Sequence, residues 1–146
     1  LPDIHAGSKL DFQAGFADLR PGKQATLVAT GYMVHKALNV ANLLQKDGID
    51  LGVIDLFQLP CDGDALAARL SQAPAVFTLE EHFLPGGMGS AILEILADRG
   101  ISRPVRRFGM GNPGVYSYAY GGREIIHDTY GLSPEQIAAD IRQTLK

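Results

Sequence analysis

A single cysteine, Cys61, stands in 146 residues. It cannot form an intrachain disulfide and has no cysteine partner for a metal, so the expected setting is a reducing one, the cytoplasm. Charge of one sign is also lacking. Thirteen Lys and Arg against sixteen Asp and Glu leave a net charge of -3, which gives no footprint for nucleic acid. No apolar run approaches the ~20 residues of a membrane span. No charged, apolar and cleavable leader opens the chain. A Gly-Lys-Ser or Gly-Lys-Thr string is missing, which excludes a P-loop, and so is a Gly-x-Ser-x-Gly nucleophile elbow. The histidines His5, His35, His82 and His127 do not pair at metal-ligand spacing, so no metal site is expected. The first residue is Leu1 and not Met, which reads as a piece of a longer product or a processed chain.

What is present fits one domain. The length is that of a single folding unit, and 46% hydrophobic content is ordinary for one. Residues 1–23 read as a weakly patterned lead-in with a possible short strand in 12–19. Residues 24–146 read as the domain proper. Apolar β-type runs at 24–30, 50–57, 75–79 and 105–108 alternate with helical patterns. The first helix shows Val34, Ala37, Leu38, Ala41 and Leu44 on one face, with Gly48 at its cap. Asp62 caps a second helix carrying Leu66 and Leu70. A third carries Met88, Ala91, Ile92, Ile95 and Leu96. Ser133-Pro-Glu-Gln136 is a capping box opening a last helix with Ile137, Ala138, Ile141 and Leu145. Such alternation predicts βαβ units, hence a mostly parallel sheet covered on both faces.

The densest chemistry lies in residues 77–92. An apolar strand run ends in Glu80, Glu81 and His82, and Gly86, Gly87 and Gly89 precede the third helix. In open α/β sheets, ligands and partners meet the carboxyl ends of the strands. Glycines between strand and helix can admit a phosphate to helix N-terminal amides. The dinucleotide fingerprint fails here, however: counted from Gly87, its third position is Ile92. The glycines are better read as a tight turn that lets the helix pack closely. A carboxylate beside an imidazole suits proton transfer. Adjacent strand residues face opposite sides, though, so Glu80, Glu81 and His82 are read as a polar strand end for interface hydrogen bonds. Arg99, Arg103, Arg106 and Arg107 are read as a charged edge strand. Residues 109–122 break the alternation with Tyr116, Tyr118 and Tyr120, amphipathic side chains suited to an interface.

These pieces resemble the C-terminal domain of transketolase-type, thiamine-diphosphate-dependent enzymes. The resemblance rests on Ala25-Thr-Leu-Val-Ala-Thr-Gly-Tyr-Met-Val34 and on Gly48-Ile-Asp-Leu-Gly-Val-Ile-Asp-Leu56 with Leu59-Pro-Cys-Asp62. It continues in Thr78-Leu-Glu-Glu-His82, Gly86-Gly-Met-Gly89 and Tyr130-Gly-Leu-Ser-Pro-Glu-Gln-Ile137. It implies a three-layer α/β sandwich whose sheet of about five strands is mostly parallel with one antiparallel edge strand. Transketolases, deoxyxylulose-phosphate synthases and the β chains of 2-oxo acid dehydrogenases share this domain. The Glu-Glu-His and Gly-Gly-Met-Gly stretch looks most like transketolase proper. That implies ketol transfer between sugar phosphates in the intact enzyme, with thiamine diphosphate and Mg held by the pyrophosphate- and pyrimidine-binding domains, in the same chain or a separate subunit.

The cofactor motif of those domains begins Gly-Asp-Gly and ends Asn-Asn, and this chain contains neither string. The resemblance therefore implies a domain that binds no cofactor itself, carries no catalytic residue and serves assembly within a homodimer, inactive when isolated. Glu80, Glu81, His82, Gly86, Gly87 and Gly89 are its expected interface or ligand edge. Two other roles stay open: the β chain of a 2-oxo acid dehydrogenase or a deoxyxylulose-phosphate synthase as parent, and a stand-alone regulatory module binding an anion at the glycine turn.

Overall fold

The structure, a computed structural model, describes residues 1–111 and 118–146. Its sheet has five strands: β1 (Phe16–Arg20), β2 (Ala25–Ala29), β3 (Leu51–Leu56), β4 (Val76–Phe83) and β5 (Val105–Met110). The helices are α1 (Met33–Lys46), α2 (Gly63–Ser71), α3 (Met88–Ala97), α4 (Arg123–Thr129) and α5 (Pro134–Thr144). Strand order is β1-β3-β2-β4-β5. β1 runs antiparallel to β3, with Phe16 opposite Leu56, and the other pairs are parallel. This is the expected mixed sheet with one antiparallel edge.

The layers follow from strand alternation. Leu27, Leu51, Val53, Phe77 and Leu79 face a core closed by Met33, Ala37 and Leu44 of α1 and Ile137 and Ile141 of α5. Val28, Ile54, Leu56 and Val76 face the opposite core, closed by Leu66 and Leu70 of α2 and Ile92 and Leu96 of α3. β2 and β3 are buried along their whole length, which is why they read as unbroken apolar runs. The lead-in is tied down by His5, whose Nε2 lies 2.7 Å from the carboxylate of the buried Asp55.

The connections fix where the working edge lies. From β2 the chain crosses to β3 on one side; from β3 it crosses back past β2 to β4. The order reverses between β2 and β4, so the loops leaving these two strands diverge and leave a crevice at their carboxyl ends. Tyr32 and the glycine turn lie at those ends.

Two expectations need correction. The third strand does not stop with its apolar run at residue 79; β4 continues through Glu80, Glu81 and His82 to Phe83, because Phe83 still pairs with Met110 after a register irregularity. Secondly, α4 had no counterpart in the expected elements. Among its seven residues only His127 is buried, so it shows no apolar stripe. Part of the tyrosine-rich stretch, including Tyr116, lies outside the described residues; Tyr118 and Tyr120 are exposed. Among the described residues, no helix is long and apolar enough to cross a membrane.

Candidate functional site

Period-two alternation along β4 divides the Glu-Glu-His group. Glu80 and His82 point to one side and Glu81 to the other. Glu80 is wholly buried. Its Oε2 accepts the Met88 N–H at 2.5 Å and its Oε1 accepts the Gly89 N–H at 2.9 Å. A strand carboxylate thus caps the N-terminus of α3, whose own N-cap, Gly87, has no side chain to offer. The glycines make room for it. A Cβ on Gly87 would lie 2.2 Å from Glu80 Oε2, and one on Gly89 would lie 2.7 Å from Thr78 Oγ1 and 3.1 Å from Glu80 Oε1. Gly86 has a different role, since its φ of 75° turns the chain where little but glycine is unstrained. Arg107 and Ser90 stitch the turn: the guanidinium donates to Leu84 O and to Ser90 Oγ, both at 2.9 Å, and Ser90 Oγ donates to Leu84 O at 2.8 Å.

This arrangement decides what the turn can do. Two amides at a helix start would attract an external phosphate, but here the anion is internal and covalently attached. His82 Nδ1 stands 3.6 Å from Glu80 Oε2, and its ring is largely exposed. It borders a groove of about 490 Å³ with Thr30, Leu59, Phe83, Pro85 and Met88. Leu59 and Phe83 are 48% and 43% exposed, large for apolar side chains, so this groove carries an exposed apolar patch.

On the other side Glu81 joins a network that the sequence did not reveal. Glu81 Oε1 accepts from Arg123 Nε at 2.8 Å, and His127 Nε2 lies 3.7 Å from the same oxygen. The Arg123 guanidinium also sits 4.3 Å from the centre of the Tyr32 ring. Tyr32 donates its hydroxyl to Glu124 Oε1 at 2.6 Å, and the buried Lys36 ammonium reaches Glu124 Oε2 at 2.8 Å and Leu132 O at 3.2 Å. The hydrogen bond to Glu124 pushes the Tyr32 phenol up, while hydrogen bonds from Lys36 and then Tyr32 hold Glu124 below the usual carboxylate range. Burial, followed by the Lys36 charge, pushes His127 down. The site therefore consists of two halves divided by β4: a capped turn with an apolar groove, and a charged clasp between α1, β4 and α4.

The remaining expected residues disperse. Arg99 pairs with Asp64, Arg103 with Ser71 O, Arg106 with Asp140 and Arg107 with the glycine turn, so the four arginines hold no common anion. Cys61 is half-buried, and burial pushes its thiol up, away from nucleophilic use. Among the described residues no group of three His, Cys, Asp or Glu could hold a metal ion.

A doubly covered, mostly parallel sheet with a self-capped turn at its switch point defines an α/β domain whose phosphate-type position is filled from within. The chain belongs to the transketolase C-terminal domain family, whose profile matches residues 16–137. Among curated proteins, the 1-deoxy-D-xylulose-5-phosphate synthase of Gloeobacter violaceus is 40% identical over 128 residues, covering 87% of this chain and 20% of that protein. 1-Deoxy-D-xylulose-5-phosphate synthase 2 of Geobacter sulfurreducens is 41% identical over 127 residues. The chain spans about a fifth of the length of these relatives. Among solved structures, a split-gene transketolase described as an inactive beta4 tetramer superposes with a TM-score of 0.84 at 28% identity, covering 99% of this chain and 46% of that one. Transketolase of Campylobacter jejuni matches at a TM-score of 0.59 and 21% identity, over 91% of this chain and 19% of that one, which bears on the fold alone.

Proposed function

We propose that this chain is the C-terminal domain of a thiamine-diphosphate-dependent enzyme of the 1-deoxy-D-xylulose-5-phosphate synthase kind, and that it serves assembly. The observation that carries the choice is the 40% identity to the Gloeobacter synthase across 87% of the chain. It shifts the reading away from transketolase proper, which the Glu-Glu-His and Gly-Gly-Met-Gly stretch had favoured. Transketolase stays as the second reading because of the split-gene superposition at 28% identity.

The described residues do not fit a diphosphate and its metal. The amides of Met88 and Gly89 are taken by Glu80, and no acidic cluster stands by them. Thiamine would supply the carbanion chemistry in the intact enzyme, and no step of that chemistry is routed through this chain. What its own residues do is mechanical. Glu80 fixes the start of α3 against β4, and that sets the position of Phe83, Pro85 and Met88. These, with Leu59 and His82, offer an apolar groove with a polar rim to the pyrophosphate- and pyrimidine-binding domains or to a second subunit. The same exposed apolar surface suits self-association of the isolated chain. The stand-alone anion-binding reading is disfavoured, because an external anion at the turn would have to displace a buried carboxylate.

A chimera tests the proposal. The Gloeobacter synthase is rebuilt with this chain in place of its matching fifth and assayed with thiamine diphosphate and Mg for the product its name states. Substantial product from the chimera, and none from the isolated chain, is expected. A folded chimera of native oligomer mass that makes no product refutes the reading, and so does product formed by the isolated chain.

A further inference from the structure

Helix α4 is attached to the domain in an unusual way. Amphipathic helices dock by burying an aliphatic stripe, yet Ile125 of α4 is 54% exposed and the one residue it buries is His127, at 1%. The titratable and charged groups that face that imidazole are Tyr32 and Lys36 from α1, Glu81 from β4, and Arg123 and Glu124 from α4 itself. Among the described residues, α4 is held by hydrogen bonds and ion pairs from Tyr32 and Lys36 to Glu124 and from Arg123 to Glu81, with His127 3.7 Å from the same Glu81 oxygen.

We propose that α4 is an acid-released latch with His127 as its trigger: protonating this imidazole undocks α4 from α1 and β4 and uncovers Tyr32, Lys36 and Glu81 at the switch point. Geometry gives three reasons. A neutral ring needs one acceptor for its N–H, and Glu81 Oε1 lies on the Nε2 side at 3.7 Å. A charged ring carries two N–H donors. The second, on Nδ1, is buried and has no partner among the described residues, so it would be left unsatisfied. Glu81 Oε1, moreover, already accepts from Arg123 at 2.8 Å, and Lys36 adds a second cation nearby, so a third positive charge enters a clasp whose two carboxylates are engaged.

The sign follows. Docking depresses the affinity of His127 for protons, so the undocked form binds more of them. Docking is at full strength above the ordinary histidine value of 6.5 and weakens as the pH falls below it, by up to about tenfold per pH unit. Carboxylates titrate lower, which leaves the interval from 7.5 to 5.5 to the histidines, and His127 is the one of the four that α4 carries.

Hydrogen exchange on the full chain tests the proposal. Protection factors, which already remove the intrinsic pH dependence of exchange, are read for the amides of Ile126, Tyr130 and Leu132, which bond within and just after α4, with α5 as internal reference. Between pH 7.5 and 5.5 the α4 group is expected to lose about three- to tenfold in protection while α5 holds. In His127→Leu and His127→Gln the loss should disappear. Unchanged α4 protection in the wild type overturns the proposal, and so does an equal loss in either variant. If both variants leave α4 unprotected at every pH, the wild type decides through proton NMR of the His127 ring: its titration midpoint must coincide with the loss of α4 protection, and separate midpoints refute the latch.

Discussion

Removing the Glu80 carboxylate is the sharpest test of how this domain is built. In Glu80→Ala the amides of Met88 and Gly89, both buried, lose their acceptor together. A hydrogen bond to a charged group contributes about 1.5–3 kcal/mol, and a buried N–H left bare carries its full desolvation cost. Two such bonds place the loss at about 3–5 kcal/mol, in the range seen when one side of a buried charged contact is deleted. For a domain near this size each kcal/mol lowers Tm by roughly 2–4 °C, so calorimetry should register a drop on the order of 10 °C. Glu80→Gln sharpens the argument, because it keeps the shape and swaps one acceptor for an NH2 that faces an N–H. It should recover less than half of the loss. The hole in Glu80→Ala retains two amides and no Cβ at Gly87, so it is built for a small carboxylate. Formate or acetate should raise the Tm of Glu80→Ala and leave the wild type unmoved; an anion at ten times its Kd adds about 1.4 kcal/mol. Asp140→Ala is the control: its contact with the half-exposed Arg106 contributes under about 1 kcal/mol. Glu80→Gln as stable as wild type, or Glu80→Ala no worse than Asp140→Ala, refutes the reasoning.

Two further outcomes follow from the same edge. Gly87→Ala places a methyl 2.2 Å from Glu80 Oε2 and 2.7 Å from Phe83 O, so urea unfolding should show a loss of about 2 kcal/mol or more from forced displacement. Leu59→Ser with Phe83→Ser changes two exposed side chains; the unfolding free energy should fall by less than about 1 kcal/mol, while self-association in sedimentation velocity falls sharply.

The layered fold was legible because its signals are local and repeated. Val34, Ala37, Ala41 and Leu44 lie on one helix face, and all four are buried in α1. Asp62 and the Ser133 capping box work as their types predict, with Ala65 N donating to Asp62 and Gln136 N to Ser133. The site was only partly legible. Residue type alone marked Glu80, and alternation foretold that Glu81 would part from its neighbours. That Glu80 turns back eight residues to cap α3 depends on the approach of β4 to α3, which no periodicity encodes. Lys36 is harder still. It sits in a helix pattern where a solvated lysine is the ordinary expectation, and Glu124, 88 positions away, with Leu132 O makes its burial tolerable. A seven-residue helix that buries a histidine has no stripe to read. The available clue was Arg123 and Glu124 directly after Gly121 and Gly122, a charged pair where the chain could re-enter structure.

On the proposed function, the internal cap also bears on how such a domain would accompany a phosphate-handling enzyme without competing for its ligands. The crevice between β2 and β4 is where an open parallel sheet most readily gathers anions, through helix N-terminal amides and the absence of side chains on glycine. A glycine turn left open there would bind sugar phosphates or diphosphates nonproductively. A side chain tethered to the adjacent strand occupies the position at an effective concentration no free metabolite matches. The same carboxylate then gives the turn a fixed shape, and with it the groove bordered by Leu59, Phe83 and His82. On this argument the buried charge is retained for geometry more than for stability. Glu80→Ala restored by acetate should therefore regain its Tm before it regains association, because a mobile anion satisfies the amides without tying α3 to β4.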